Sequence, residues 1–169
     1  MSQTPATTPA LLSLPSFRPV MCQAVGNQAC CAATSADVWI IDDDLLASFR
    51  TGQVIRQQRF AEQVCTFTQV SYALERLNQV LRSDPAQLPR LILLDIHMPS
   101  LNEWDFLDAY AKLPAIIRQR VALYVLSGSI EPAEQLTTKR YQDVRGFMAK
   151  PLSAEDLQAI QEQTNWPRD

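Results

Sequence analysis

The sequence predicts an α/β fold of the (βα)5 type, in which helices cover both faces of a doubly wound, five-stranded parallel sheet. Five short apolar segments alternate with five segments of helical character, and short links join them. Residues 91–94 are apolar at every position, as in a strand that is covered on both faces. The length of 169 residues and the hydrophobic content of 47% suit one globular domain.

The first half of the alternation begins with the β-branched and aromatic run at residues 38–41. The acidic run 42–44 interrupts it, and the segment that follows, to about Arg59, contains neither proline nor a turn cluster, which indicates a helix. Residues 64–67 predict the second strand. Apolar residues then recur at helical spacing over 73–81, and Asp84-Pro85 ends that helix.

The second half continues the alternation after the apolar strand at 91–94. The predicted elements are a helix over about 104–112, a strand over 121–126, a helix that opens near Pro132, a strand over 146–149 and a final helix. Ser153, with Asp156 three residues later, forms a capping-box motif that predicts the start of the final helix.

Composition excludes several classes of function. Eighteen acidic against fifteen basic residues leave no net positive charge for sequence-independent binding to nucleic acid. The longest apolar stretch, 121–126, is far shorter than the roughly 20 residues of a membrane span. Four cysteines without paired spacing form no disulfide framework, so a reducing cytoplasm is favoured. His97 is the single histidine, which excludes a multi-histidine metal site.

Residues 1–35 differ in composition from the rest of the chain. They carry one charge against 32 in the remaining 134 residues, and they hold four of the eleven prolines and three of the four cysteines. Such a segment buries too little apolar area to offset the entropy of ordering it. We therefore predict a flexible N-terminal extension over 1–35 and one domain over 36–169, with a docking arm using Leu11, Leu12, Leu14 and Phe17 as the alternative.

Polar residues follow four of the predicted strands. Asp42 and Asp43 end the first strand, Asp95 the third, Ser127 the fourth and Lys150 the fifth. In open parallel sheets, functional groups gather beyond the carboxyl ends of the strands. Each residue also has an ordinary structural explanation, as a helix cap, a turn or a strand terminator. Their joint placement on strand ends is what indicates a site.

Three carboxylates brought together raise each other's pKa unless a cation lies among them. A hard divalent ion, Mg2+ above all, suits a site of carboxylate oxygens without a histidine or cysteine cluster. Lys150 and Ser127 would then be donors aimed at a phosphoryl group. One aspartate would act as the nucleophile, because carboxylates form acyl phosphates on enzymes.

Over about residues 37–163, the sequence resembles the receiver domain of two-component response regulators, in particular the single-domain chemotaxis type. The resemblance implies a flavodoxin-like sheet with strand order 2-1-3-4-5. It implies that Asp42 and Asp43 in IIDDD hold Mg2+ and that Asp95 in LLDIHMPSLNEWDFL is the phosphoacceptor. It also implies that Ser127 in VLSGS is the family's hydroxyl residue. Lys150 in FMAKP would be the family's lysine, which a cis-proline follows.

The resemblance assigns three further positions. Phe147 stands where the family has an aromatic switch residue, which turns inward when the phosphoryl group meets the hydroxyl. The backbone carbonyl of His97 completes the metal site, while its side chain is expected to have no role. Ser129 matches a position that tunes the lifetime of the acyl phosphate.

Two positions depart from the family pattern. Asn102-Glu103 replaces the usual Asp-Gly, which puts the geometry of that loop in question where glycine would adopt positive φ. Gly128 replaces a commoner alanine, which is expected to leave the pocket more open.

The function implied is that of a stand-alone receiver. It would take a phosphoryl group from a sensor histidine kinase or histidine phosphotransfer protein onto Asp95, and Ser127 and Phe147 would then switch its binding to a downstream protein target. It would be a cytoplasmic signalling protein that catalyses only its own phosphorylation and dephosphorylation, with no nucleic-acid or membrane partner. Homodimer formation is left open.

Three alternatives are kept. A pseudo-receiver would retain the fold and bind its partner without phosphorylation. A flavodoxin-like cofactor binder needs a Ser/Thr/Gly-rich phosphate loop after the first strand, where this chain has three aspartates. A phosphatase of the haloacid dehalogenase type needs Asp-x-Asp there, which Asp42 and Asp44 supply, but it also needs a larger chain.

Overall fold

The centre of the molecule is a sheet of five parallel strands. The computed structural model describes residues 36–98, 103–128, 140–164 and 166. The strands are β1 (Val38–Ile41), β2 (Val64–Phe67), β3 (Leu91–Asp95), β4 (Ala122–Ser127) and β5 (Val144–Ala149). They pair in the order β2-β1-β3-β4-β5, and every pair is parallel. The predicted fold class and strand order are confirmed.

Helices alternate with the strands. In the described residues they are α1 (Leu45–Gln57), α2 (Val70–Ser83), α3 (Glu103–Ala111), α4 (Ala115–Arg120) and α5 (Ala154–Thr164), with a short 3-10 turn at Pro85–Gln87. The short α4 was not predicted, and β5 begins two residues earlier than predicted. The helix predicted near Pro132 lies outside the described residues.

Two buried clusters fill the space on the two faces of the sheet. Alternate strand residues such as Ile41, Ile92 and Leu94 pack with α2 and α3 on one face. Their neighbours, such as Ile40 and Leu93, pack with α1 and α5 on the other. All residues of β1 and β3 are buried, as expected for inner strands covered on both sides.

Side-chain caps define where two helices begin. The Asp44 carboxylate accepts hydrogen bonds from the backbone N–H groups of Leu46 and Ala47, at 2.8 and 3.1 Å, and so caps α1. At α5 the predicted capping box is confirmed. Ser153 Oγ accepts from the Asp156 N–H at 3.1 Å, and Asp156 Oδ2 accepts from the Ser153 N–H at 2.9 Å.

Trp166 ties the chain beyond α5 to the segments that lead into β2 and β3. Its ring stacks on Phe60 with 4.4 Å between centroids, and its Nε1–H donates to the Phe60 carbonyl at 2.7 Å. The Arg90 guanidinium lies over the same ring at 4.3 Å, as in a cation–π pair. These contacts lie before the strands begin, at the end of the sheet away from the polar strand ends.

One covalent feature was not expected from the sequence. Cys65, on β2, is disulfide-bonded, whereas the cysteine pattern had favoured reduced thiols. Its partner lies outside the described residues. The sequence also predicted no membrane span. Among the described residues, no helix has both the length and the hydrophobicity that a membrane span requires.

The packing of β3 predicts the cost of truncating its side chains. Leu93 is 0% exposed, so Leu93→Ala removes buried methyl groups and leaves a cavity. We expect the free energy of unfolding, measured by urea denaturation, to fall by about 2–5 kcal/mol. In the control Ile116→Ala, the side chain is 70% exposed and the change should stay within about 0.5 kcal/mol. Equal effects of the two substitutions would contradict this description of the core.

Candidate functional site

The register of the inner strands brings two aspartates side by side. Ile41 on β1 pairs with Leu94 on β3, so the next residues along each strand, Asp42 and Asp95, are neighbours. Both are almost fully buried. Their proximity follows from the parallel pairing itself, because parallel strands end at the same edge of the sheet.

The other two strands add a hydroxyl and an ammonium to the same edge. Asp95 on β3 pairs with Leu126 on β4, and Ser127 is the residue that follows Leu126. Ser127 in turn pairs with Ala149, and Lys150 follows Ala149 on the chain. The Lys150 backbone N–H donates to the Ser127 carbonyl at 2.8 Å, which holds the end of β5 against β4. The Lys150–Pro151 peptide bond is cis, as the resemblance implied.

Asp42 is held by the backbone on one side of its carboxylate. Its own N–H donates to the Phe67 carbonyl at 2.9 Å, and its Oδ1 accepts from the Asp44 N–H at 2.9 Å. Its Oδ2 lies 2.7 Å from the Lys150 Nζ and, among the described residues, has no further hydrogen-bond partner. One buried carboxylate oxygen is therefore satisfied by a cation alone.

Asp95 has a similar arrangement at the end of β3. Its Oδ1 accepts from the backbone N–H of His97 at 3.0 Å, and its Oδ2 lies 2.7 Å from the Lys150 Nζ. The His97 residue is exposed. Its peptide N–H orients the carboxylate, while the predicted role of its carbonyl at a metal stays a prediction.

The Lys150 ammonium thus bridges two buried carboxylates. Its side chain is 18% exposed, and Nζ lies 2.7 Å from both Asp42 Oδ2 and Asp95 Oδ2. The sequence predicted that Lys150 would be directed at a phosphoryl group, and it did not foresee this bridge. A buried carboxylate needs a paired cation or a hydrogen-bond donor, and this requirement is the signal that would have indicated it.

Burial and ion pairing act in opposite directions on these groups. Burial raises the pKa of Asp42, and the Lys150 ammonium opposes that rise without reversing it. For Lys150, burial disfavours the charged form, but hydrogen bonds and ion pairs to Asp42 and Asp95 outweigh it and raise the pKa. The ammonium therefore keeps its charge at neutral pH.

The acidic cluster has the donor set of a divalent-cation site. One carboxylate oxygen from each of Asp42, Asp43 and Asp95 can lie within 4.8 Å of the others. All the donors are oxygens, which suits Mg2+ rather than Zn2+. Three carboxylates and the Lys150 ammonium carry a formal charge of −2, and one divalent cation would neutralise it. The residues present therefore fit the predicted Mg2+.

Asp44 does not belong to the cluster, although it follows Asp42 and Asp43 directly. Its side chain is used as the cap of α1, and hydrogen bonds from the N–H groups of Ala47 and Leu46 lower its pKa. The haloacid dehalogenase alternative needs Asp42 and Asp44 to act together. Because the Asp44 carboxylate is engaged by the helix, this geometry does not support that alternative.

The remaining predicted positions are distributed around this edge. Ser127 is fully buried, and Phe147 is half-buried on β5, where it pairs with Val125. Gly128 is exposed, and a Cβ added there would meet nothing within 4 Å. The expected effect of this glycine on the pocket stays a prediction. Ser129 and Asn102 lie outside the described residues.

Solved structures that align with this chain include response regulators. A two-component response regulator from Cytophaga hutchinsonii aligns with a TM-score of 0.70 and 25% identity, over 79% of this chain and 98% of that chain. A response regulator receiver protein from Dyadobacter fermentans aligns with a TM-score of 0.67 and 24% identity, over 78% and 99%. A chemotaxis response regulator of Vibrio cholerae aligns with a TM-score of 0.58 and 18% identity, over 78% and 99%.

The fold is that of a response regulator receiver domain. No family model matches the sequence, and no curated protein matches it. The likeness to receiver domains is therefore one of structure.

The acidic cluster predicts selective effects of charge removal on cation binding. We expect Asp43→Asn to weaken Mg2+ binding by roughly tenfold or more, because it removes one charged donor from the cluster. Isothermal titration calorimetry measures this directly. The matched control is Asp44→Asn, which removes the same charge one residue away and keeps a side chain that caps helices well. Equal weakening by both variants would contradict the assignment of donors.

The Lys150 bridge predicts how stability depends on cations. In buffer without divalent cations, we expect Lys150→Met to lower the free energy of unfolding by about 1–3 kcal/mol, since two buried carboxylates lose their counter-charge. Saturating Mg2+ should stabilise this variant more than the wild type. Urea denaturation with and without Mg2+ measures both effects.

The control for the bridge is Lys112→Met, which removes the charge of an exposed lysine outside the site. It should change the free energy of unfolding by less than about 0.5 kcal/mol in either buffer. If Lys150→Met were as stable as the wild type without cations, the bridge would not be stabilising the site.

Proposed function

We propose that this receiver accepts a phosphoryl group on Asp95 from a phosphohistidine of a sensor histidine kinase or a histidine phosphotransfer protein, with Mg2+ at the acidic cluster. The observation that carries the proposal is the environment of Asp95. Its buried carboxylate lies beside a cluster of two further aspartates and 2.7 Å from the Lys150 ammonium. A carboxylate in this setting is a suitable nucleophile for phosphoryl transfer.

In the proposed step, an oxygen of the Asp95 carboxylate attacks the phosphorus atom in line with the bond to the donor imidazole. The new O–P bond forms as the P–N bond breaks, and its electron pair returns to the imidazole nitrogen. The product is an acyl phosphate on Asp95 and a free histidine on the donor. Hydrolysis by water later returns the carboxylate and releases inorganic phosphate.

The residues around Asp95 have separate tasks in this step. The His97 N–H, at 3.0 Å from Asp95 Oδ1, orients the carboxylate. Lys150 would exchange its contact with Asp95 Oδ2 for one with a phosphoryl oxygen, since the charge of the carboxylate moves to the phosphoryl group. Asp42 and Asp43, together with Asp95 and the His97 carbonyl, would hold Mg2+, which when bound neutralises the transferring phosphoryl group.

The proposed response to phosphorylation uses Ser127 and Phe147. Ser127 is fully buried one residue beyond the partner of Asp95, so its hydroxyl lies at the same edge of the sheet. A hydrogen bond from that hydroxyl to the phosphoryl group would pull the end of β4 towards the site. Phe147, on the neighbouring strand and half-buried, would then turn inward and change the surface presented to a downstream protein target.

This proposal includes the setting of the protein. The donor would be a histidine kinase or a histidine phosphotransfer protein, and the signal would pass to a protein target. The proposed location is the cytoplasm, because phosphohistidine donors act inside the cell. The receiver would catalyse only its own phosphorylation and dephosphorylation. Dimer formation by the phosphorylated protein is an accessory hypothesis, tested by sedimentation after activation.

The test is the mass of the intact protein after incubation with acetyl phosphate, with and without Mg2+. We expect a gain of one phosphoryl group that requires Mg2+ and is absent from Asp95→Asn, because the amide oxygen is a poor nucleophile. The matched control is Asp84→Asn, which makes the same chemical change at an exposed helix-capping residue and should be labelled like the wild type.

A short-lived acyl phosphate would escape this assay, so binding of beryllofluoride with Mg2+ is measured in parallel. Binding by the wild type but not by Asp95→Asn supports the proposal, since beryllofluoride mimics the phosphoryl group. Persistent labelling of Asp95→Asn would show that another residue is the acceptor. No labelling from acetyl phosphate or from a phosphohistidine donor, together with no beryllofluoride binding, would favour the pseudo-receiver.

A further inference from the structure

The buried face of α1 carries two hydroxyl groups that the proposed phosphoryl transfer does not use. Ser48 and Thr51 are each 4% exposed, and they lie about one helical turn apart. Ser48 is in the turn nearer the acidic cluster, and its Oγ–H donates to the backbone carbonyl of Asp42 at 3.4 Å. This buried hydroxyl therefore contacts the main chain of a residue that supplies one of the cluster carboxylates.

The contact holds one of the two peptide groups that flank Asp43. The Asp42 carbonyl, which accepts from Ser48, belongs to the peptide group before Asp43. The peptide group after Asp43 includes the Asp44 N–H, which donates to Asp42 Oδ1 at 2.9 Å. Because each peptide group is planar, holding both of them leaves Asp43 little freedom in φ and ψ. The direction of the Asp43 side chain follows from these two angles.

Ser48 is itself held by the start of α1. Its N–H donates to the Asp44 carbonyl at 2.9 Å, and the Asp44 carboxylate caps the helix through the N–H groups of Leu46 and Ala47. The Ser48 hydroxyl therefore lies on a capped helical turn, whereas Asp43 lies in the link between β1 and α1. The helix provides the fixed position from which the Asp42 carbonyl is held.

The place of Asp43 in the cluster is electrostatically unfavourable before a cation binds. One carboxylate oxygen from each of Asp42, Asp43 and Asp95 lies within 4.8 Å of the others, and like charges at that spacing repel. A turn that was free to move would relieve the repulsion by directing Asp43 towards solvent. Mg2+, which requires near-octahedral donor geometry, would then have to order the turn. A turn that is already held lowers this cost of binding.

We infer that Ser48 is a positioning residue for the divalent cation: its hydroxyl holds the Asp42–Asp43 peptide group, so that the Asp43 carboxylate lies in the cluster before Mg2+ binds. The inference rests on the proposed Mg2+ site and adds a residue outside its donor set. Ser48 acts through the main chain of Asp42. Removing its hydroxyl should therefore weaken cation binding although every carboxylate donor is kept.

Isothermal titration calorimetry of the full chain with magnesium chloride tests the inference. We expect Ser48→Ala to raise the Kd for Mg2+ about three- to tenfold, which is the net effect of one hydrogen bond. The matched control is Thr51→Val, which removes a buried hydroxyl from the same helix face and nearly keeps the shape of the side chain. The Kd of this control should stay within about twofold of the wild-type value.

A second variant, Ser48→Thr, keeps the hydroxyl and should bind Mg2+ as the wild type does. Urea denaturation without divalent cations shows that each variant is folded and measures its stability.

The outcomes separate the inference from the proposed site. A purely structural role for Ser48 would lower the free energy of unfolding of Ser48→Ala and leave its Kd for Mg2+ unchanged, which would overturn the inference. Equal losses of affinity in Ser48→Ala and Thr51→Val, or in Ser48→Ala and Ser48→Thr, would also overturn it. In these cases the Mg2+ site itself would stand. A wild type that binds no Mg2+ would overturn the proposed site and the inference together.

Discussion

The two ion pairs of Lys150 are the interaction on which the site depends. Asp42 and Asp95 are buried side by side because β1 and β3 pair in parallel, and such a pair of carboxylates is unfavourable without a cation between them. The Lys150 ammonium supplies that charge from the end of β5, 2.7 Å from each carboxylate. Its position requires β4 between β3 and β5, so the site needs β1, β3, β4 and β5 to be assembled.

The cost of the buried charges is offset by the rest of the fold. Every side chain of β1 and β3 is buried between the helix layers, and burial of apolar surface is the main favourable term in folding. The apolar strands thus stabilise an arrangement of aspartates that would be unfavourable alone. This explains why the carboxylates of β1 and β3 lie only where these strands end, since a carboxylate one residue earlier would lie in the core.

The strands were predictable because β1 and β3 are uniformly apolar and bounded by charged residues. Parallel pairing was enough to predict that the polar residues at the strand ends lie at one edge of the sheet. The order of the strands was predicted only from the resemblance to receiver domains. The start of β5 was missed because the exposed Arg145 breaks its apolar pattern. The Lys150 bridge was missed because it joins residues more than fifty positions apart, and no local pattern predicts which carboxylates an ammonium contacts.

The formal charge of the acidic cluster and Lys150 relates the observed ion pairs to the proposed phosphoryl transfer. Asp42, Asp43, Asp95 and Lys150 together carry −2, which a divalent cation would neutralise. Transfer of a dianionic phosphoryl group to Asp95 replaces one negative charge by two, giving −3 without the cation and −1 with it. Like charges at this spacing in a partly buried site repel strongly. Under the proposed function, an acyl phosphate on Asp95 would therefore need a divalent cation at the cluster, and Lys150 would then move from the Asp95 carboxylate to the phosphoryl group.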